Sequence, residues 1–572
     1  MPARTTTVLT KRNLLLAVGV GWAILTVVVA TAPYDPMAWD LADATTNYIW
    51  TREYARGVYD IPYAEWQYPP TQSSVVWHNG EYVVVNEKGP GHALMLVPFH
   101  ILGAEALFGP LLAGLAVLST YLLANRLFGW RVGLIAAVAV LVNLSVLIMW
   151  HRFYWTDAST MHLLVASVAL LVEALHRANG RSLDPRSTAA TTRRDTAVVL
   201  LLSFLGGLAL GGSISTRYPV ALVAVAIFAF LLLFGLTRAW PSLRRRRLAA
   251  AVHSLRPLVL VLPFLLGLVL ILVPLMKYNT TYFGGPLNSG YDATPLNRFN
   301  ASTTLDPRNQ STSWLSSPLE GLGNALRNAV VLAPILLFRM PLLALVPFAL
   351  WFLRRRLSLA LLLPWIVIAL YTYLSLGWVV QYARADIAWR IAWEPRYFMP
   401  ALPPIAILGA WVVDRFAMSD RLFRVLKVPR SAWKSLVVAG LLLLPVLAFG
   451  IGPAAANFRN PAAVGGPPGP GPPEGIPVTT DQLTAAPQDY DGRFVRLDGA
   501  VVVQPTPQGA VVQSPASSTT VEVRLFNWPA NARPSLTPGT VVDVRGRFTV
   551  GPPGTFFVGV AWGTSDYLRT VP

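Results

Sequence analysis

Residues 218–236 read YPVALVAVAIFAFLLLFGL, and residues 237–247 follow as TRAWPSLRRRR. An uncharged run of this length makes roughly 28 Å of helix, close to the ~30 Å of a bilayer's hydrocarbon core. The arginines from Arg244 to Arg247 then mark one end of it, as basic clusters mark the cytoplasmic ends of spanning helices. Apolar runs of the same kind recur near 13–32, 107–126, 132–150, 158–175, 196–213, 257–276, 328–353, 357–376, 398–415 and 436–455. Together they predict about eleven transmembrane helices. The first run is read as a retained anchor. Ala30-Thr31-Ala32 resembles a signal-cleavage site, but the run is long for a signal core and Pro33 disfavours cleavage.

The composition agrees. Of 572 residues, 54% are hydrophobic and 13% charged, and the mean hydropathy is +0.49. Soluble domains carry about 25% charged residues. With no cysteine in the chain, thiol catalysis, cysteine-ligated metal and a disulfide framework are excluded. Lys and Arg total 46 against 28 Asp and Glu, a net charge of +18. Most of that excess sits in alternate short loops: Arg4, Lys11 and Arg12; Arg126 and Arg131; Arg177 to Arg194; Arg238 to Arg256; Arg354 to Arg356; Arg415 to Lys434. It reads as a topology signal and a contact with anionic lipid headgroups, not as nucleic-acid binding. The N-terminus is expected in the cytoplasm and the C-terminal segment outside the cell membrane. His92 to Gly103 is apolar but short, and a crossing there would invert the charge pattern, so it is read as a re-entrant or interfacial helix.

The predicted outer face carries the long polar segments: Pro33 to about Ala106, Trp150 to Ala158, Gly211 to Tyr218, Lys277 to about Arg327 and Gly377 to Arg396. The first opens with Asp35, Asp40 and Asp43, then reads Asn47 to Gly57 as an amphipathic helix ending in glycine. Each aspartate has ordinary readings as a helix cap, an arginine partner or a solvated group. Asp43 stands out because it enters an interfacial helix opposite several outer arginines.

These residues resemble the GT-C superfamily of polytopic glycosyltransferases, within it the protein O-mannosyltransferase and aminoarabinose-transferase branch. The spacing from Asp43 to Gly57 is similar to that branch's first outer loop, although Ala44 stands where Glu is usual and Tyr48 is displaced by one position. Asp40 is therefore an alternative acid. Lys88-Gly89-Pro90-Gly91-His92 resembles the opening of the next helix, and Asn125 to Arg131 a cytoplasmic turn. His151 to Asp157 resembles a second acidic outer turn, Thr216-Arg217-Tyr218-Pro219 a basic one, and Glu394 to Pro400 an Arg-Tyr-x-x-Pro helix start. The matches cover residues 10–415 in order.

The resemblance implies transfer of a sugar from a polyprenyl-phosphate donor to an extracytoplasmic glycan, lipid or protein. It implies Asp43 as general base, with Asp157 orienting the acceptor or a cation. Arg217 and Arg396 are implied as phosphate clamps, and Lys88, His92, Arg152 and Tyr397 as further substrate contacts. No cofactor is certain from the residues. A divalent cation, Mg or Mn, is an open expectation, with Asp40, Asp43, Asp157 and His151 as donors of suitable type.

Residues 465–473 are all proline or glycine, a stiff linker. Alternating strands follow over 493–503, 520–526, 539–550 and 556–562, divided by Gly and Pro, and resemble an OB-fold barrel. The expected domains are a transmembrane GT-C-like domain over 1–455, a linker over 456–476 and an extracytoplasmic OB-like barrel over 477–572. The fold class is all-α polytopic membrane protein with a C-terminal all-β barrel. Asn279, Asn300 and Asn309 open glycosylation sequons, and their loop is alternatively a lid over the acceptor. The rival functions are a transporter or flippase of lipid-linked sugars and a non-catalytic envelope scaffold.

Overall fold

The computed structural model describes residues 11–31, 42–62, 73–178 apart from 80, 88 and 152, 193–245, 261–288, 318–375 apart from 355, 394–417, 476–526 apart from 491, 492, 507 and 508, 536–550, 556–561 and 567–571. Its helices in chain order begin with α1 (Lys11–Thr31), α2 (Ala42–Ala55), α3 (Gly91–Ile101), α4 (Phe108–Phe128), α5 (Trp130–Leu141), α6 (Leu144–His151) and α7 (Thr156–Ala178). There follow α8 (Arg193–Thr216), α9 (Ala221–Arg244), α10 (Val261–Phe283), α11 (Pro318–Arg339), α12 (Val346–Leu353), α13 (Leu357–Leu374), α14 (Leu402–Val412), α15 (Thr480–Ala485) and α16 (Pro487–Tyr490). Among the described residues, seven stretches, built on α4, α7, α8, α9, α10, α13 and α14, are long and apolar enough to cross a membrane.

Two expected spans are interrupted. The run 132–150 forms α5 and α6, with Asn143 between them. The Asn143 side chain accepts from the Ser145 amide at 3.0 Å, starting α6, and donates to the Arg339 carbonyl at 2.7 Å. An Asn side chain competes with the helical ladder in this way. The run 328–353 is cut at Met340, whose φ of −131° leaves the helix just before Pro341 and a 3₁₀ turn over Pro341–Leu345. The expected span at 436–455, the linker and residues 289–317, with the sequons at Asn300 and Asn309, lie outside the described residues.

The chain divides into two compact units. The first comprises Met1–Tyr34, Gly89–Lys277 and Asn309–Pro461. Its helices run between two ends that the side chains define. At one end Arg126 of α4 meets Glu173 of α7, and Phe128, Phe352 and Trp411 from the ends of α4, α12 and α14 stack near one another. At the other lie the start of α7, the end of α8 and the end of α13. Trp22 ties α1 to α4 by donating to the Pro110 carbonyl at 3.1 Å.

The second unit comprises Asp35–Lys88, Tyr278–Arg308 and Ala462–Pro572. Helix α2 ends two residues before Gly57, whose φ of +78° suits glycine. It is less amphipathic than its sequence pattern implies. Thr46, Asn47, Thr51 and Glu53 are buried alongside Ile49, Trp50 and Tyr54, and Trp50 donates to the Ser73 hydroxyl at 3.1 Å. Strands β1 (Ile61–Pro62), β2 (Ser73–His78) and β3 (Glu81–Asn86) form an antiparallel sheet in the order β1-β3-β2. Tyr282 and Phe283, in the last turn of α10, pack on Val76, Val83 and Val85 of this sheet. Asn279, one of the three sequon asparagines, is buried there and donates to the Pro286 carbonyl at 3.2 Å.

The C-terminal segment is a curled seven-stranded sheet of β4 (Ile476–Pro477), β5 (Phe494–Thr506), β6 (Gly509–Gln513), β7 (Val521–Phe526), β8 (Val541–Val550), β9 (Phe556–Ala561) and β10 (Tyr567–Thr570). Strand β5 pairs antiparallel with both β6 and β8, and β7 runs parallel to β9. The expected alternation is realised: Val495, Leu497, Val512, Val523, Val544, Phe548, Val558 and Val560 turn inward into one apolar core. Helix α15 starts from a capping box, with Thr479 and Gln482 each bonding the other's backbone N–H.

Candidate functional site

The second acidic turn and the basic turn meet in the first unit. Thr156 and Asp157 open α7, while Arg217 follows the last residue of α8 in extended backbone, just ahead of the Tyr218-Pro219 turn. Nη2 of Arg217 lies 2.9 Å from Oδ1 and 3.0 Å from Oδ2 of Asp157. Its Nε donates to the Thr156 hydroxyl at 3.1 Å, and Nη1 reaches the Tyr373 hydroxyl at 3.4 Å. The pair is enclosed: the Arg217 side chain is 11% exposed and that of Asp157 1%.

Two neighbouring aromatic rings adjoin the guanidinium. Its carbon stands 4.9 Å from the centre of the Tyr397 ring and 5.8 Å from that of Tyr373, and the two rings lie 5.3 Å apart. Tyr373 ends α13, and Tyr397 belongs to the 3₁₀ turn Glu394–Ala401 before α14. Below the pair, the hydroxyls of Thr160 and Thr216 lie 2.9 Å apart and Ser213 donates to the Thr160 carbonyl at 2.8 Å, so α7 and α8 hold a fixed register beneath the site.

Helix α3 presses its start against the same turn. A Cβ on Gly91 would stand 2.1 Å from the Ser215 hydroxyl oxygen, and one on Gly89, at φ +88°, 2.8 Å from the Tyr218 hydroxyl. Glycine is required at both positions for that approach. The next residue, His92, is buried. Its Nε2–H donates to the Phe153 carbonyl at 3.1 Å and Nδ1 accepts from the Ser159 hydroxyl at 2.6 Å, while the ring edge meets Phe108. A carbonyl only accepts, which fixes this tautomer.

Of the residues singled out from the sequence, Asp157, Arg217 and Tyr397 therefore share one cluster, and His92 ties α3 to the turn and helix that carry Asp157. Asp43 lies in the first turn of α2, in the second unit, and Arg396 in the turn beside Tyr397; their side chains are outside the described residues, as are Asp40, Lys88 and Arg152 altogether. Ser159 and Tyr373 were not singled out, and Thr156 only as a member of the acidic turn His151 to Asp157. Tyr373 carries a signal in retrospect, since Tyr371-Thr372-Tyr373 ends an apolar run with polar groups. Among the described residues, no three of His, Asp and Glu gather as a metal site.

Chemically, the cluster offers a carboxylate of fixed direction, a guanidinium bound along three edges and flat aromatic faces suited to an apolar ring face. The bonding of Arg217 to Asp157 offsets its charge and fixes the direction of the carboxylate.

Fold and site together define a polytopic helical membrane protein with an appended β-module. No protein-family model and no curated protein matches the chain. Among solved structures it is similar to ArnT from Cupriavidus metallidurans bound to undecaprenyl phosphate, at 16% identity over 78% of this chain and 72% of that one, with a TM-score of 0.41. It is also similar to the archaeal oligosaccharyltransferase AglB from Archaeoglobus fulgidus, in complex with an inhibitory peptide and a dolichol-phosphate, at 14% identity over 78% of this chain and 56% of that one, with a TM-score of 0.44. The apo form of the Archaeoglobus fulgidus oligosaccharyltransferase gives 15% identity, 79% and 56% coverage and a TM-score of 0.45. The chain thus spans little more than half the length of the archaeal enzyme.

Proposed function

We propose that this chain is a membrane glycosyltransferase that moves a sugar from a polyprenyl-phosphate donor to an extracytoplasmic acceptor, a glycan, lipid or protein, by direct inverting displacement. The observation that carries this reading is the enclosed Asp157–Arg217 pair beside Tyr373 and Tyr397. It joins two outer turns that the sequence marks separately as acidic and basic.

In this reading Asp43, with Asp40 in reserve, takes the acceptor proton, a role worth about 10²–10⁴-fold in rate. Asp157, aimed by Arg217, orients the acceptor or a Mg or Mn ion. Arg396 and Lys88 offset the charge on the leaving phosphate, and the tyrosine faces receive the sugar. The N-terminus is cytoplasmic and the C-terminal module lies outside. The pairing of β5 with both β6 and β8, with β7 parallel to β9, supports an OB-like barrel there, which would meet a saccharide or a protein partner.

The test is sugar transfer by purified protein given polyprenyl-phosphate sugars. Asp43→Asn and Asp157→Asn should each lose at least about 100-fold in turnover, and Arg396→Gln should weaken donor binding. Folded Asp43→Asn with undiminished turnover removes the base assignment. Absence of transfer from every polyprenyl-phosphate sugar supplied removes the transferase reading.

A further inference from the structure

The end of the first unit remote from Asp157 carries a second charged cluster that the proposed chemistry does not use. Glu173 of α7 receives N–H groups from two arginines. Arg126 of α4 reaches it through Nε and, at 3.0 Å, through Nη2; Arg177, one turn further along α7, reaches it through Nε at 2.7 Å. The His176 Nε2 lies 3.4 Å from Nη1 of Arg126. Two guanidinium charges face one carboxylate, which leaves a single net positive charge with the histidine neutral. The cationic side chains are the open ones, at 32% and 39% exposure against 12% for Glu173.

Two further features mark this place as a lipid boundary. Leu118 and Leu122 are exposed and lie eight and four residues before Arg126, one helical face that leads to the guanidinium. Around the same end, Phe352 packs on Trp411 and Phe416, with Phe128 also against Trp411; Arg354 lies over the Trp351 ring and Arg131 over that of Trp130. Aromatic and basic side chains gather in this manner at headgroup depth.

We propose that Arg126 and Arg177 form a headgroup site for one anionic phospholipid, its phosphate on the two guanidinium groups and one acyl chain along Leu122 and Leu118. The charge left over after Glu173 matches a phosphodiester, and guanidinium forks bind phosphate oxygens in pairs. From Leu118 to Arg126 the helix rises about 12 Å, within the ~15 Å half-thickness of a bilayer core. That apolar run selects a lipid over free phosphate. Basic pockets between spanning helices bind such headgroups. On the distribution of basic loops this is the cytoplasmic leaflet, and the site stands whether or not the chain is a transferase.

The experiment uses the full chain purified in neutral detergent. Native mass spectrometry measures lipid retention, and thermal unfolding is followed with phosphatidylglycerol, phosphatidylcholine or inorganic phosphate added. Phosphatidylglycerol should be retained as one tight copy and raise the unfolding temperature; phosphatidylcholine and phosphate should do neither. Arg177→Gln should weaken retention about tenfold while leaving the Arg126–Glu173 contact in place. Arg126→Gln removes two N–H groups from Glu173 where Arg177→Gln removes one, so Arg177→Gln is the deciding variant. The control is Arg244→Gln with Arg245→Gln, which removes exposed basic charge at the end of α9. Equal retention of both lipids, a shift reproduced by phosphate alone, or a loss as large in the control as in Arg177→Gln would each overturn the site.

Discussion

A Cβ placed on Gly207 of α8 would stand 1.9 Å from the Phe264 carbonyl oxygen of α10, and one on Gly267 would stand 2.2 Å from the Phe204 carbonyl. The two helices cross backbone to backbone at this pair, as spanning helices do where small residues face one another. Gly207→Ala should therefore destabilise the protein in detergent by about 1–3 kcal/mol, the scale of overpacking. Gly323→Ala, in α11 with open space around the added carbon, should be neutral or gain up to about 1 kcal/mol from helix propensity. Thermal unfolding of the two variants side by side checks the difference in sign.

The Asp157–Arg217 pair predicts a strong coupling. Removing either partner leaves the other charge enclosed without its main counterion, a loss of about 3–5 kcal/mol. The double variant Asp157→Asn, Arg217→Gln should recover part of that loss, with a coupling of up to about 3 kcal/mol in a double-mutant cycle. Additive effects in the cycle would mean that the two side chains do not act as a unit.

His92 separates a structural from a functional role. Its ring nitrogens bond Ser159 and the Phe153 carbonyl, so His92→Phe should strand both groups and cost about 1–3 kcal/mol in stability. Ser159→Ala should cost less, because only one bond is lost. A His92→Phe protein that unfolds at the native temperature but fails to bind a polyprenyl-phosphate donor would place the residue among the substrate contacts instead.

How much of this was readable beforehand depends on which force fixes each element. Bilayer thickness sets a length, so the apolar runs at 107–126, 196–213, 218–236 and 357–376 anticipate α4, α8, α9 and α13 closely. Local breaks were harder. Asn143 splits the run 132–150 through one side-chain bond to its own chain and one to Arg339, a partner distant in sequence. The hairpin of β2 and β3 carries a plain marker, Asn79-Gly80 between two valine-rich runs, which the reading of that loop as acids and an amphipathic helix passed over. At the site, the charge pattern predicts Asp157 and Arg217 on one side of the membrane. Their contact, and the arrival of Tyr373 and Tyr397 beside the guanidinium, depends on helix packing that no single segment encodes.

The last prediction concerns acid. Asp481, in the first turn of α15, accepts from the Thr519 hydroxyl at 2.6 Å and from the amides of Thr519 and Ser518 at 3.0 and 3.1 Å. Those bonds, the Thr519 hydroxyl foremost, hold its carboxyl below the usual carboxylate range. A carboxylate depressed in the folded state binds fewer protons there than in the unfolded chain. Its stabilising contribution is thus complete above the unfolded value near pH ~3.9 and is lost as pH falls through the lower folded value. Hydrogen exchange at the Ser518 and Thr519 amides should accordingly lose protection on acidification below about pH 4. Asp481→Asn should flatten that dependence while leaving the amides less protected at neutral pH than in the parent chain.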